Sequence, residues 1–539
     1  MWRAGFWIAV LLIIVCLRGV AYLEPDPSDA YRYAYVGAKW VDGLVPYRDL
    51  FENKPPAIYA LNALAFAISR PHHWAVLNAV EVVLAVLTAV CLAGMVRRWV
   101  GRPWDYVVVL IAATLAFGLR FAYTGNMTEG YCVAWVVAGL WVIVVAGRTR
   151  SAWWMLLGGG LIGLGSLFKP TGLAAAIAVA IWLVTEWLLD RLDLRRALAR
   201  VGLLIGGAIV PWLIAVAGFA LYGLADEMLY ASLAYNSHYG QEMWQTKGVV
   251  WIVLECYQQL WVALPVMAAA GYVVLTLVRP SRLIARGQAE ANWRCLAVLW
   301  MLGDLGGALA GGRCYEHYFV PLMISASAVA GFALADAARS LVGLAEVRPA
   351  RRIGLSVLIL WLALLIGRDA IWGASLLRSG GPSPETRGRA ELAQAAHYLA
   401  RPGDTLFTWG SAAYFFYEAR LDPIFPDMDT HRAYDFDAKA KQIALDLLAA
   451  FEAQPPRFII TDVNDDHPQR QQPDLLRAYE TFKRVVQSDY RPILGRGPRS
   501  LYVRKEPPAT TQSVTAPSSR PKRPGTQPTP TQPTTRPPQ

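Results

Sequence analysis

Charge is scarce in this chain. Asp, Glu, Lys and Arg make up 17% of its residues, against roughly 25% in an average soluble protein. That deficit argues against an ordinary cytosolic enzyme, although 539 residues would allow three or four globular domains of ~150 residues each. Cysteine is scarce too. Cys16, Cys91, Cys132, Cys256, Cys295 and Cys314 form no C-x-x-C pair, and nearly all lie in apolar runs. They read as small hydrophobes, not as a disulfide framework or a zinc site. Also missing is a basic stripe interleaved with aromatics in a soluble segment, so the net charge of +11 does not point to nucleic acid.

Apolar residues are what the chain has in excess, at 55%. Its long uncharged runs match the ~20 helical residues that a bilayer core demands. Candidate spans fall near 5–22, 74–95, 105–122, 128–146, 153–168, 171–189, 201–222, 254–278, 294–312, 316–338 and 353–375. These eleven predict a polytopic α-helical membrane protein; the fifth is short and ends at Lys169-Pro170. Arginines follow the even-numbered spans: Arg97 and Arg98, Arg148 and Arg150, Arg195 and Arg196, Arg282 and Arg286, Arg351 and Arg352. By the positive-inside rule those connections are cytoplasmic and the odd ones face out. Everything after about residue 376 is then expected on the outer side of a plasma (inner) membrane. The first span reads as an uncleaved anchor, because Tyr22-Leu23-Glu24 is a poor cleavage context. Tryptophans such as Trp74, Trp153 and Trp154 fall near predicted interfaces, where amphipathic rings anchor.

Residues 376–506 have soluble composition. Strand-like stretches at 405–409, 457–463 and 501–504 alternate with helical patterns near 436–453 and 473–488, which predicts a small α/β domain. From Pro507 to Gln539 the chain is Pro/Thr/Gln-rich, a composition that cannot bury enough apolar surface to fold. Arg520, Lys522, Arg523 and Arg536 in this tail supply +4 of the net charge.

The loop between spans one and two, 23–73, is unusually long and polar. Asp26 or Ser28 could cap a helix that runs to Asp42 and ends at Gly43. Tyr31, Tyr35 and Ala38 give that helix one apolar face, which would lie along the membrane surface. The apolar stretch Ala57 to Ile68 is too short to span and reads as a second interfacial helix. Solvation of an outer loop would explain these charges blandly. Against that, Asp29 sits at a helix start beside the bilayer edge, and Glu52-Asn53-Lys54 is pinned by Pro55-Pro56. Carboxylates and a cation in a partly desolvated setting can transfer protons or bind phosphate.

These residues carry a resemblance. Asp29-Ala-Tyr-Arg-Tyr-Ala, followed by Gly43 and Tyr47-Arg-Asp-Leu-Phe-Glu-Asn-Lys-Pro-Pro, resembles the first periplasmic loop of the GT-C glycosyltransferases. Within them it is most similar to the family 39-like group of protein O-mannosyltransferases and aminoarabinose lipid A transferases. Asn126-Met-Thr-Glu129, Lys169-Pro-Thr-Gly, the segment from Arg313 through His317-Tyr318 to Pro321, and Leu406-Phe-Thr-Trp-Gly410 add to it. The resemblance covers about 1–420.

It implies a GT-C-like domain over 1–375 with a C-terminal extracytoplasmic α/β domain and tail. It also implies a polyprenyl-phosphate-linked sugar donor, entering sideways from the bilayer, and a lipid, glycan or protein acceptor hydroxyl. Asp29 matches the family's loop-one acid and would be the general base. Glu52 and Lys54 match its Glu–Lys pair, with Lys54 balancing charge on the phosphate and Glu52 orienting acceptor or lysine. Arg32, Tyr33, Asn53, Glu129, Lys169, Arg313, His317 and Tyr318 would contact substrates. Where many relatives have Asp-Glu, this chain has Asp29-Ala30, so Glu52 or Glu129 would supply the second acid.

Other readings stay open at this level. Glu129 is equally a helix-start charge favoured by the macrodipole, Lys169 a snorkelling side chain, and Arg313 the partner of Glu316 in a surface ion pair. Glu81, Glu255 and Asp304 lie inside predicted spans, where carboxylates are costly and face the bundle interior. They keep a secondary transporter as the alternative. His72-His73 and Asp462, Asp465 and Asp466 have metal-ligand chemistry but form no complete set, and surface placement is expected for them. A divalent metal cofactor is neither required nor excluded.

Overall fold

The computed structural model describes residues 2–24, 29–122, 125–146, 151–278, 289–341, 348–379, 381–409, 413–426, 440–462 and 473–505. Among them, ten helical stretches are long and apolar enough to cross a membrane: Arg3–Ala21, Arg70–Trp99, Trp104–Ala122, Thr128–Val145, Pro170–Leu188, Leu194–Ala220, Lys247–Leu277, Trp293–Ala310, Glu316–Arg339 and Ser356–Arg378. The chain is a multi-pass helical membrane protein. The remaining expected span, 153–168, is the helix Trp153–Ser166, which at 14 residues is only ~21 Å long. Its glycines pack one side of it against the helix Leu194–Ala220, while Trp153, Trp154 and Leu157 stay exposed. A Cβ on Gly159 would stand 2.2 Å from the Leu204 carbonyl oxygen, and one on Gly207 would stand 2.1 Å from that of Leu156. Small residues permit this backbone-to-backbone approach between helices. The expected span 254–278 corresponds to the longer, irregular stretch Lys247–Leu277. Gly248 (φ 73°) interrupts the helix Asn236–Leu260, and a 3₁₀ turn, Trp261–Ala263, joins it to Leu264–Val278.

Two of the carboxylates within spans are neutralised by ion pairs. Arg18 donates to Glu81 Oε2 from Nε (3.0 Å) and Nη2 (2.8 Å), and both side chains are buried. Lys247 reaches both oxygens of Glu255 at 2.7 Å. Asp304 is buried with the spans around it.

The first loop folds as two helices, Asp29–Val41 and Ala57–Ile68. Gly37 lets them touch, since a Cβ there would lie 2.5 Å from Asn62 Cβ. The capping candidates Asp26 and Ser28 fall outside the described residues. The apolar face expected on the membrane surface packs on protein instead. Tyr31 meets Tyr414 with ring centres 4.7 Å apart, and Tyr35 is buried near Phe416. Their partner is the helix Ala413–Ala419, whose own aromatic cluster removes the face from any lipid contact.

The C-terminal region holds a five-stranded sheet of order β2-β1-β3-β5-β4, with β1 Thr405–Thr408, β2 Asp422–Pro423, β3 Phe458–Asp462, β4 Tyr490–Arg496 and β5 Arg499–Arg504. The first three strands are parallel, and β4–β5 is an antiparallel hairpin. Side chains alternate along the strands. Leu406, Ile460, Leu501 and Val503 join the core that includes the helix Pro384–Leu399. Phe407, Trp409 and Ile459 face the helices Ala440–Ala453 and Pro473–Asp489. The expected strands and helices are present, while β2 and β4 were not anticipated. The expected tail, 507–539, lies outside the described residues. The sheet is anchored on the first loop: Tyr35 donates to Asp422 Oδ1 (3.2 Å), Lys39 pairs with Asp422, and Phe51 N donates to the Pro426 carbonyl (3.1 Å).

Candidate active site

Asp29 opens the first-loop helix, and its carboxylate is a quarter exposed. One helical turn later Tyr33 donates its hydroxyl to Asp29 Oδ2 at 3.1 Å. Arg32 bridges two carboxylates, with Nη1 3.6 Å from Asp29 Oδ1 and 3.4 Å from Glu52 Oε1. Glu52 is buried, and its other oxygen accepts from the Tyr59 hydroxyl at 3.0 Å.

The segment 51–55 has no regular secondary structure, so side chains must satisfy its backbone. Lys54 N donates to the Tyr59 hydroxyl (3.1 Å), Tyr47 donates to the Lys54 carbonyl (2.7 Å), and Asn236 Nδ2 donates to the Asn53 carbonyl (2.6 Å). Held this way, Lys54 directs its ammonium to Asn53 Oδ1 at 2.9 Å. Burial pushes the Asp29 carboxyl up. The charges of Lys54, Arg32 and His317, with the Tyr33 hydroxyl, outweigh that and hold it down at about 2.

A second cluster forms where three distant stretches meet. Glu129, buried at the start of the helix Thr128–Ala146, is paired with Lys169 and accepts from Thr128 Oγ1 at 3.0 Å. His317 Nε2 stands 3.9 Å from Glu129 Oε1. The Lys169 ammonium lies 3.6 Å from the centre of the Tyr318 ring, a cation–π contact. His317 acts on both Asp29 and Glu129, so the clusters are electrostatically continuous. Lys169 and Tyr318 line a small pocket together with Cys132, Thr171, Gly307 and Asp304. Partly desolvated carboxylates beside cations at one end of a helical bundle can take a proton from a hydroxyl and hold an anionic group.

Residues 53–215, less than a third of the chain, match the family model described as dolichyl-phosphate-mannose-protein mannosyltransferase. Among solved structures the fold is shared with ArnT from Cupriavidus metallidurans bound to undecaprenyl phosphate: TM-score 0.59, 13% identity, 96% of this chain and 99% of that one covered. It is shared as well with the archaeal oligosaccharyltransferase AglB from Archaeoglobus fulgidus, in complex with an inhibitory peptide and a dolichol-phosphate: TM-score 0.53, 13% identity, 86% and 70% covered. No curated protein sequence matches the chain. The chain therefore shares the fold of these two membrane proteins, and its residues 53–215 resemble the mannosyltransferase family.

Not every sequence-predicted contact is made as expected. Glu52 is engaged by Arg32 and Tyr59, and Lys54 by Asn53, so the Glu52–Lys54 motif is not a directly bonded pair. The pair expected between Arg313 and Glu316 is replaced. Glu316 takes Arg120 at 3.2 Å, and Arg313 reaches the Tyr315 hydroxyl at 3.4 Å. His73, expected at the surface, is buried with both ring nitrogens occupied, by the Arg70 carbonyl and the Tyr417 hydroxyl. Asp465 and Asp466 lie outside the described residues; among those described, no group of three His, Cys, Asp or Glu could hold a metal ion.

Three residues that the sequence reading passed over organise the site. Tyr59 and Asn62 are the polar members of the otherwise apolar helix Ala57–Ile68, and that anomaly was their only signal. Asn62 and Asn126 pair amide to amide (3.0 and 3.2 Å), and Asn126 Nδ2 also donates to the Ala30 carbonyl (3.1 Å), next to Asp29. Asn236 gave no signal at all, because its contact is 183 positions away in sequence.

The depressed Asp29 acidity has a measurable sign. A carboxyl held near 2 adds stability in full above its ordinary value of 3.8 and loses it as pH falls through about 2. The difference in thermal midpoint between the native protein and Asp29→Asn is therefore expected to be constant from pH 8 to about pH 5. It should shrink below about pH 4; a difference that vanished near pH 6 would contradict the assigned environment.

Proposed function

We propose that this chain is a membrane glycosyltransferase of the GT-C superfamily that moves a sugar from a polyprenyl-phosphate donor to an acceptor hydroxyl, on the outer face of a plasma (inner) membrane. The observation that carries the proposal is the Asp29 carboxylate, partly exposed and ringed by Arg32, Lys54 and His317. The phosphate-bearing ligands in the ArnT and AglB structures support a lipid-phosphate donor. The arginines that follow the even-numbered spans support the outer side for this end of the bundle.

In this reading the acceptor hydroxyl attacks the anomeric carbon, Asp29 takes its proton, and the bond to the polyprenyl phosphate breaks with inversion. Lys54 and Arg32 balance charge growing on the departing phosphate. Drawing these cations onto phosphate also relieves the depression of Asp29, so donor binding would strengthen the base at the step that needs it. Glu52 acts by orienting Arg32. Tyr33, Asn53, Glu129, Lys169, Arg313, His317 and Tyr318 line the substrate path, and 376–506 is an accessory outer domain over the first loop. A transporter needs carboxylates free to bind ions, and two of the three in-span candidates, Glu81 and Glu255 but not Asp304, are already committed, to Arg18 and Lys247.

The test is incubation of purified protein with a panel of polyprenyl-phosphate sugars and candidate acceptors, reading release of polyprenyl phosphate. Release with at least one donor, dependent on acceptor, is expected. No release with any of them, alongside ion flux in proteoliposomes, would reverse the reading.

A further inference from the structure

Cys256 and Cys314 are 58 residues apart in sequence, yet their sulfurs lie 2.7 Å from each other, both buried. That separation is inside ordinary contact of unbonded sulfur atoms and approaches the about 2.05 Å of a covalent bond. The approach is built into the backbone. Gly312 (φ 62°) and Cys314 (φ 48°) both adopt the left-handed conformation, which turns the Cys314 thiol back onto the helix Asn236–Leu260. There it also meets the Ile252 carbonyl at 3.7 Å. A second tie crosses the same junction. Arg120 links Glu316 (3.2 Å) to Gln259 Oε1 (2.5 Å) and the Gln258 carbonyl (3.3 Å). The turn so fastened runs directly into His317 and Tyr318, which meet Glu129 and Lys169.

We infer that Cys256 and Cys314 form a structural disulfide that fixes this turn against the end of the helix Asn236–Leu260. Two thiols lose two protons and two electrons to form one S–S bond. The electrons pass to a disulfide oxidant, a dithiol oxidase or oxidised glutathione, which leaves as the corresponding thiols. The bond would close a long loop, where cross-linking restricts the unfolded chain most. The sequence pattern gave no sign of the pair, since neither cysteine has a second one nearby in the chain.

The experiment is peptide mapping of the full-length protein, solubilised from its membrane after in situ alkylation with N-ethylmaleimide and digested without reductant. A Cys256 peptide joined to a Cys314 peptide is expected, separating on reduction. Reduction should also lower the apparent Tm by about 5 °C, and Cys256→Ser/Cys314→Ser protein should show no reductant-dependent shift. Recovery of both peptides carrying the maleimide, even after incubation of the protein with oxidised glutathione, would overturn the inference. Neither readout requires sugar transfer, so failure of the proposed function would not be mistaken for failure of the disulfide.

Discussion

Asp29→Asn protein is expected to transfer sugar about 10²- to 10⁴-fold more slowly, which is the usual contribution of a positioned general base. Asparagine keeps the shape and can still accept the Tyr33 hydroxyl, which now lies 3.1 Å from Oδ2, but it cannot take a proton. The substitution also removes the negative charge that Arg32 faces at 3.6 Å. The cations are left with more capacity for phosphate, so donor affinity should hold or rise while kcat falls. A split of this kind distinguishes lost chemistry from lost folding. Wild-type turnover in a folded Asp29→Asn protein would remove Asp29 from the mechanism.

Glu81→Ala is expected to cost about 3–5 kcal/mol of stability, because it strands the buried Arg18 guanidinium without its counter-ion. Arg18 spends Nε and Nη2 on Glu81 and Nη1 on the Phe117 carbonyl at 3.1 Å, so it has no route to water. The other Glu81 oxygen accepts from the Asn126 backbone N–H. Asn126 stands at φ 54°, a left-handed position that asparagine tolerates better than most residues. Its side chain holds the Ala30 carbonyl beside Asp29. Removing Glu81 should therefore loosen the first loop around Asp29 as well as the bundle. Thermal unfolding in detergent measures the loss. Replacing both partners, Arg18→Leu with Glu81→Met, should recover much of it, because an apolar pair leaves no unpaired charge. If the single and double variants melted alike, the pair would not be the source of the stability.

Much of the architecture was legible from composition because lipid imposes one requirement on every span, a long uncharged helix. The run 153–168 is the shorter helix Trp153–Ser166. Glycines count as apolar in a hydropathy pattern, but Gly159 and Gly207 are there to bring two backbones together. Within the site, Asp29, Glu52 and Lys54 stood out because polar residues are rare on an apolar chain. Glu129, Lys169 and His317 were visible only as separate candidates, since nothing local says that three helix ends share one point. Asn236 and the cysteine pair were invisible, because each depends on a partner far away in sequence.

The sequence by itself determined a membrane bundle with a polar loop rich in carboxylates and cations, because hydropathy and charge are properties of individual residues. Only the tertiary structure decided which charges meet. Glu52 goes to Arg32 and Tyr59, Glu129 to Lys169 and His317, and Glu316 to Arg120. Pairing in a desolvated interior depends on distances of a few ångströms, and those are set by how the helices pack.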